Sequence, residues 1–163
     1  MTEDPIKIML RRFPYGFYSV TSKHEDEVNA MVVNWIVQAS FEPRYLALCL
    51  QKTSFSYELI SKGRVFTVNL FLREDEGSLK PFTKGRSKNP DKMTGVEYSP
   101  APVTGCPILP AAAGYLECKV VDIFNTGGDH DIVLGEVVAG DVLKEGSVED
   151  SLTLLDLGWS YAG

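Results

Sequence analysis

The sequence predicts a mainly β chain, an antiparallel barrel decorated by a few short helices. Two observations carry this. Six or seven apolar, β-branched runs follow one another through turn signals, and the helical segments do not alternate with them as a doubly wound α/β fold requires. No internal repeat, low-complexity tract or linker divides the 163 residues, so residues 1–163 read as a single domain.

The elements follow in order. Residues 3–13 have helical spacing in Ile6, Met9, Leu10 and Phe13, with Asp4 placed to cap and Pro5 suited to the first turn; Pro14 ends the segment. Residues 16–22 are aromatic and β-branched and read as a strand. Residues 24–27 form a charged turn, and residues 29–40, rich in Val, Ile and Trp, read as one continuous strand. Glu42-Pro43-Arg44 breaks the chain before a strand over 45–51. A helix is expected over 54–63, with Gly63 as its stop, then a strand over 64–70. The polar stretch 73–110 holds a possible helix near 75–84 and a cation-rich loop, residues 84–92. Strands over 115–124 and 131–142 flank the turn Asn125-Thr126-Gly127-Gly128-Asp129 and should pair as a long hairpin. The apolar tail, 152–161, is expected to close over another element or another subunit.

Composition bounds the chemistry. Apolar residues make up 44% and charged residues 23% of the chain, ordinary values for a globular protein. The net charge of -6 gives no global basic field, which argues against nucleic acid as a partner. The three cysteines, Cys49, Cys106 and Cys118, have no paired spacing and only two histidines accompany them, so neither a disulfide scaffold nor a structural zinc site is expected. The start, MTEDPIKIMLRRF, lacks the apolar core of a secretory signal, and no apolar run is long enough to span a membrane. Reduced thiols in a cytoplasmic protein are the expectation.

The segment QKTSFSYELI, residues 51–60, concentrates chemistry. A helix start presents unpaired N–H groups and the positive end of the helix dipole. Lys52 adds a cation, and Thr53, Ser54 and Ser56 add hydroxyls, a combination that suits a phosphate. The plainer reading is that Thr53 or Ser54 only caps the helix. Lys92, in the loop Lys84–Lys92, is a further candidate cation, whereas Lys84, Arg86 and Lys88 read as solvated loop residues.

Three further strings give this segment a context. They are NAMVVNWIVQASFEP (29–43), GCPIL with GYLECKV (105–109 and 114–120), and GDHDIVLGEV (128–137). In this order, with Lys52-Thr53-Ser54-Phe55-Ser56 between the first two, they resemble the flavin reductase-like family of FMN-binding split barrels, nearest its flavoredoxin-like branch. The resemblance runs from about Phe13 to the tail. It implies a six-stranded Greek-key split barrel, a homodimer, and one FMN per subunit near the dimer interface.

By that resemblance the strand holding Val33, Asn34, Trp35 and Ile36 lies along the isoalloxazine edge. The turn with Ala39 and Ser40, and the segment with Cys49, Gln51, Lys52, Thr53, Ser54 and Ser56, wrap the ribityl chain and phosphate. Lys92 adds a cation there, and His130 sits at the nicotinamide or flavin face. The physical roles are consistent. The Asn34 amide can both donate and accept at the flavin pyrimidine edge, and Trp35 offers a flat apolar wall, although a regular strand would point only one of the two at the flavin. A histidine at 130 can donate to a carbonyl, which suits a site that handles hydride and a reduced flavin. The implied activity is NAD(P)H-dependent transfer of hydride to FMN, with electrons passed on to free flavin or another acceptor. The alternative is a tightly held FMN serving as an electron carrier for a redox-protein partner. A haem-binding variant has only His24 and His130 as histidine ligands.

Overall fold

The computed structural model describes residues 3–161. Its centre is a seven-stranded sheet in which every neighbouring pair is antiparallel. The strands are β1 (Tyr18–His24), β2 (Glu27–Val33), β3 (Ile36–Phe41), β4 (Arg44–Gln51), β5 (Val65–Leu70), β8 (Gly114–Phe124) and β9 (His130–Val142). A two-stranded ribbon, β6 (Ser99–Pro100) with β7 (Pro107–Ile108), completes the β structure. The helices are α1 (Pro5–Leu10), α2 (Phe55–Gly63) and short 3₁₀ turns, of which Arg73–Phe82 is the longest.

The sheet order β2-β1-β5-β8-β9-β4-β3 leaves β2 and β3 at opposite edges. Laid flat, those edges would stand roughly 29 Å apart at the usual strand spacing. Only Asn34 and Trp35 connect them, and two residues hold the Cα atoms of Val33 and Ile36 within about 11 Å. The sheet therefore curls until its edges meet without a hydrogen-bonded ladder, a barrel split at the β2–β3 seam. The mainly β, antiparallel expectation holds. The six-strand count does not, because the stretch 29–40 is two strands broken at Asn34–Trp35, and no periodicity in that apolar run marks the break.

The inside of the curl is a core of Val20, Leu48, Leu50, Phe66 and Val133, all fully buried, with Ile60 of α2 closing it. Alternation along β4 puts Leu46, Leu48 and Leu50 inward. Gly135 on β9 is a packing requirement: a Cβ there would stand 2.5 Å from the Phe66 ring. A second apolar cluster, with Phe17, Phe71, Leu79, Phe82 and Leu152, lies under the 3₁₀ turn and the tail. The tail closes on its own chain: Phe17 N–H donates to the Leu152 carbonyl at 3.1 Å, and Trp159 packs edge-on to Phe17.

The local signals account for the helix ends. Asp4 caps α1 through the Ile6 N–H, with Pro5 as the first helical residue, and Ser54 caps α2 through the Tyr57 N–H at 3.1 Å. Gly63 is the last residue of α2 rather than its left-handed stop, which is Arg64 at φ 58°. Glycine is needed at 63 for close approach, since a Cβ there would stand 2.0 Å from the Lys23 carbonyl oxygen.

Candidate functional site

The seam between β2 and β3 makes the first half of the site. Asn34 and Trp35 belong to neither strand, so the strict alternation of a regular strand does not apply, and both line one cavity of about 430 Å³. Val33, Cys49, Gln51 and His130 line it too, with Tyr161 of the tail. Strand register explains the gathering. The Cys49 N–H donates to the Trp35 carbonyl at 3.0 Å, and Gln51 at the end of β4 faces His130 at the start of β9.

The His130 ring lies 5.0 Å from the Trp35 ring at 60°, and its Nδ1 is 2.7 Å from the Asp129 carboxylate. That hydrogen bond is the main reason the Asp129 carboxyl is held below its ordinary range. Burial pushes the Cys49 thiol upward, away from thiolate chemistry. Two donors in this cavity stand out. The Asn34 Nδ2 and Trp35 Nε1 atoms are buried and have no hydrogen-bond partner among the described residues. An unsatisfied buried donor costs about 1–3 kcal/mol, a loss that an acceptor brought within reach of either atom would recover.

A second cavity of about 430 Å³ shares Met31, Val32 and Gln51 with the first, so the two form one groove. Thr53, Ser54 and Ser56 at the start of α2 line it, opposite Arg86 and Lys92 of the 84–92 loop. Arg86 is not a solvated loop residue. Its guanidinium donates to Asn29 Oδ1 at 3.0 Å, to the Val28 carbonyl at 2.7 Å and to the Pro90 carbonyl at 2.9 Å, and it lies 4.7 Å over the Phe55 ring. Lys92 is 5% exposed and donates to the Lys84 carbonyl at 2.9 Å. Burial first, then repulsion from Arg86, lowers its ammonium to about 8. Neither cation has a carboxylate partner among the described residues. Glu58, at the edge of this cavity, is paired with Lys62 at 2.7 Å. A buried Lys92 and a half-buried Arg86, neither facing a carboxylate among the described residues, make the start of α2 a site for an anion.

The groove brings together most of the residues expected from the sequence and leaves some outside. Val33, Asn34, Trp35, Cys49, Gln51 and His130 meet in the first cavity; Thr53, Ser54, Ser56 and Lys92 meet in the second. Lys52 lines neither. Its ammonium is 3.3 Å from the Asp131 carboxylate and 3.2 Å from Asn125 Oδ1, tying α2 to the β8–β9 turn. Tyr57 completes that tie, donating to Asp131 at 2.7 Å, and with Lys52 it holds the Asp131 carboxyl below its usual range. Ile36 packs on the barrel core, and Ala39 and Ser40 lie at the β3 bulge, outside both cavities. Arg86 and Asn29 are the site residues the sequence did not single out. The signal available was the cation two residues after the loop start, Lys84-Gly85-Arg86, in a stretch where Lys84 and Lys88 are exposed and Lys92 is buried.

A larger cavity, about 710 Å³, runs along β8 and β9 past Phe71, Val137 and Val142 and contains none of the expected site residues.

Known proteins resemble this chain over most of its length. Residues 10–161 match the family model described as the flavin reductase like domain. Diflavin flavoprotein A 1 of Synechocystis sp. is 32% identical over 137 residues, which are 82% of this chain, while the chain spans only 23% of that relative. The flavin-dependent monooxygenase reductase subunit HsaB of Rhodococcus jostii is 30% identical over 85% of this chain and 69% of its own length. The solved structure of the NADH:FAD oxidoreductase SgcE6 of Streptomyces globisporus, in complex with NAD and FAD fragments, superposes with a TM-score of 0.75 at 26% identity, covering 90% of both chains. With a match across nearly its whole length and a two-thirds-length relative at this identity, the chain belongs to the flavin reductase like domain family.

Proposed function

We infer that this protein is a flavin reductase that binds FMN along the groove, takes hydride from a nicotinamide nucleotide, NADH or NADPH, and delivers electrons to free flavin or another acceptor. The observation that carries this reading is the pairing of two partnerless buried donors, Asn34 Nδ2 and Trp35 Nε1, with a connected cavity holding the uncompensated cations Arg86 and Lys92. A ligand planar and acceptor-rich at one end and anionic at the other fits both halves, and FMN has that form. Bound FMN would supply a ring that accepts two electrons as hydride and can release them singly or together.

The chain's own residues supply binding and orientation. Asn34 and Trp35 donate to the polar edge of the ring, and the Trp35 and His130 rings form an apolar wall that limits water. Arg86, Lys92 and the α2 start hold the phosphate. His130, its Nδ1–H directed at the Asp129 carboxylate, leaves Nε2 to meet a polar group of the ligand at the mouth of the groove, as an acceptor in the neutral ring and as a donor only in the protonated one. Hydride transfer needs chiefly stacking and distance, so no acid is assigned to that step. A homodimer belongs to this proposal. Ile6 and Met9 on α1 and Val37 and Phe41 on β3 are 55–87% exposed, apolar surface that a second copy would cover.

A second reading, an FMN carrier serving a redox protein, is favoured by the relation to one segment of the much longer diflavin flavoprotein. Oxidation of NADH and NADPH by the FMN-loaded protein, with free flavin as acceptor, separates the two. Turnover well above the enzyme-free rate supports the reductase. One FMN held per chain without turnover supports the carrier, and failure to take up flavin removes both.

A further inference from the structure

The geometry points to Arg86 and Asn29 as positioning residues that fix the direction of a hydroxyl donor, Ser56, toward the phosphate of the bound flavin. The inference rests on the proposed placement of that phosphate in the second cavity, and it goes beyond charge at that place.

The chain of bonds has a sense. The Arg86 Nε–H can only donate, and it donates to Asn29 at 3.0 Å. The atom of Asn29 facing it must therefore be the oxygen, which turns the amide nitrogen the other way. That nitrogen donates to Ser56 Oγ at 2.8 Å. With its oxygen accepting from Asn29, Ser56 keeps its own proton for another acceptor, and no acceptor for it exists among the described residues. Ser56 is 1% and Asn29 2% exposed, so neither group exchanges partners with bulk water, and both line the cavity that holds Lys92.

Remove the Arg86 donor and the Asn29 amide is free to flip. Ser56 would then donate to the amide oxygen and its proton would be lost to the ligand. Arg86 is itself held in place by the Val28 and Pro90 carbonyls and by Phe55, so the direction is built into the loop and β2 together. Ser54, by contrast, has its hydroxyl oxygen engaged by the Tyr57 N–H as the helix cap. This arrangement selects a phosphate oxygen, an acceptor without a donor of its own.

The test compares FMN with riboflavin, which lacks the phosphate. Dissociation constants for both are measured by flavin-fluorescence titration for the wild-type chain, Ser56→Ala, Asn29→Ala and the double variant. The quantity read is the ratio of the riboflavin constant to the FMN constant, since a merely structural defect weakens both ligands alike. We expect each single variant to cut that ratio about tenfold, the scale of one charge-assisted hydrogen bond. The double variant should cut it no further, because both act through one proton. Should Asn29→Ala disturb folding, Arg86→Lys is compared in the wild-type and Ser56→Ala backgrounds, because Arg86 also meets the phosphate directly; the relay predicts a larger loss of the ratio in the wild type than in the background that lacks the Ser56 hydroxyl. A ratio unchanged in Asn29→Ala, an Arg86→Lys loss as large without the Ser56 hydroxyl as with it, or losses that multiply in the Ser56→Ala/Asn29→Ala double variant, would overturn the relay. A wild-type ratio near one would remove the phosphate placement as well, whereas a large wild-type ratio with inert positioning variants overturns the relay alone.

Discussion

Titration of Lys92 gives a prediction whose sign and size both follow from its surroundings. The side chain is 5% exposed and faces Arg86 without a carboxylate, and its ammonium is lowered from the ordinary 10.5 to about 8. A phosphate bound between the two cations reverses the repulsion and repays part of the desolvation, returning Lys92 toward its ordinary range. Below pH 8 the ammonium is already charged, and FMN affinity should not depend on this group. Above pH 8 binding must take up a proton, and the FMN dissociation constant should rise about tenfold per pH unit. The stability of the ligand-free protein should follow the opposite trend. Its folded state binds fewer protons than the unfolded chain between about 8 and 10.5, so its stability rises over that window, by on the order of 3 kcal/mol in full.

Calorimetric titration of FMN at pH 7.0, 8.0, 8.5 and 9.0, in two buffers of different ionisation enthalpy, reads affinity and proton uptake together. Lys92→Met should bind more weakly at pH 7 and lose the slope. A flat wild-type profile from about pH 7 to 9, or the same slope in Lys92→Met, would refute the reasoning.

Other expectations follow from single contacts. Asn34→Leu deletes the buried Nδ2 donor that lacks a partner; the ligand-free protein should gain about 1 kcal/mol or remain unchanged in urea unfolding while flavin affinity falls about tenfold. Gly135→Ala drives a methyl to 2.5 Å from the buried Phe66 ring and should cost about 1–3 kcal/mol in the same assay, without altering the FMN-to-riboflavin affinity ratio. Glu117→Gln weakens a fully buried carboxylate that accepts from the Val103 and Thr104 N–H groups at 2.9 and 2.6 Å and from the Thr104 hydroxyl at 3.0 Å. Thermal unfolding should show a loss of about 2 kcal/mol.

Local chemistry was readable and closure was not. Asp4-Pro5 and Ser54 announce their helices because capping is settled within four residues, and Asn125 to Asp129 announces the long hairpin because a turn needs glycine. The break at Asn34–Trp35 has no such local cause. It is set by a seven-stranded sheet meeting its own edge, a property of all the strands at once. The same limit governs the cations. Lys52, next to the helix start in sequence, is drawn off by Asp131 on β9, a partner 79 positions later, while Arg86 reaches the groove because β2 offers it Val28 and Asn29. A cation-rich stretch states how much charge a loop carries. Which of its charges turns inward depends on carbonyls supplied from another strand.

The central claim concerns where the flavin lies, and a crystal structure grown with excess FMN tests it most directly. The account predicts the phosphate within hydrogen-bonding distance of Arg86, Lys92 and Ser56, and the polar edge of the ring on Asn34 Nδ2 or Trp35 Nε1. FMN seated in the larger cavity along β8 and β9, or with its phosphate on Lys52 and the second cavity vacant, would contradict it.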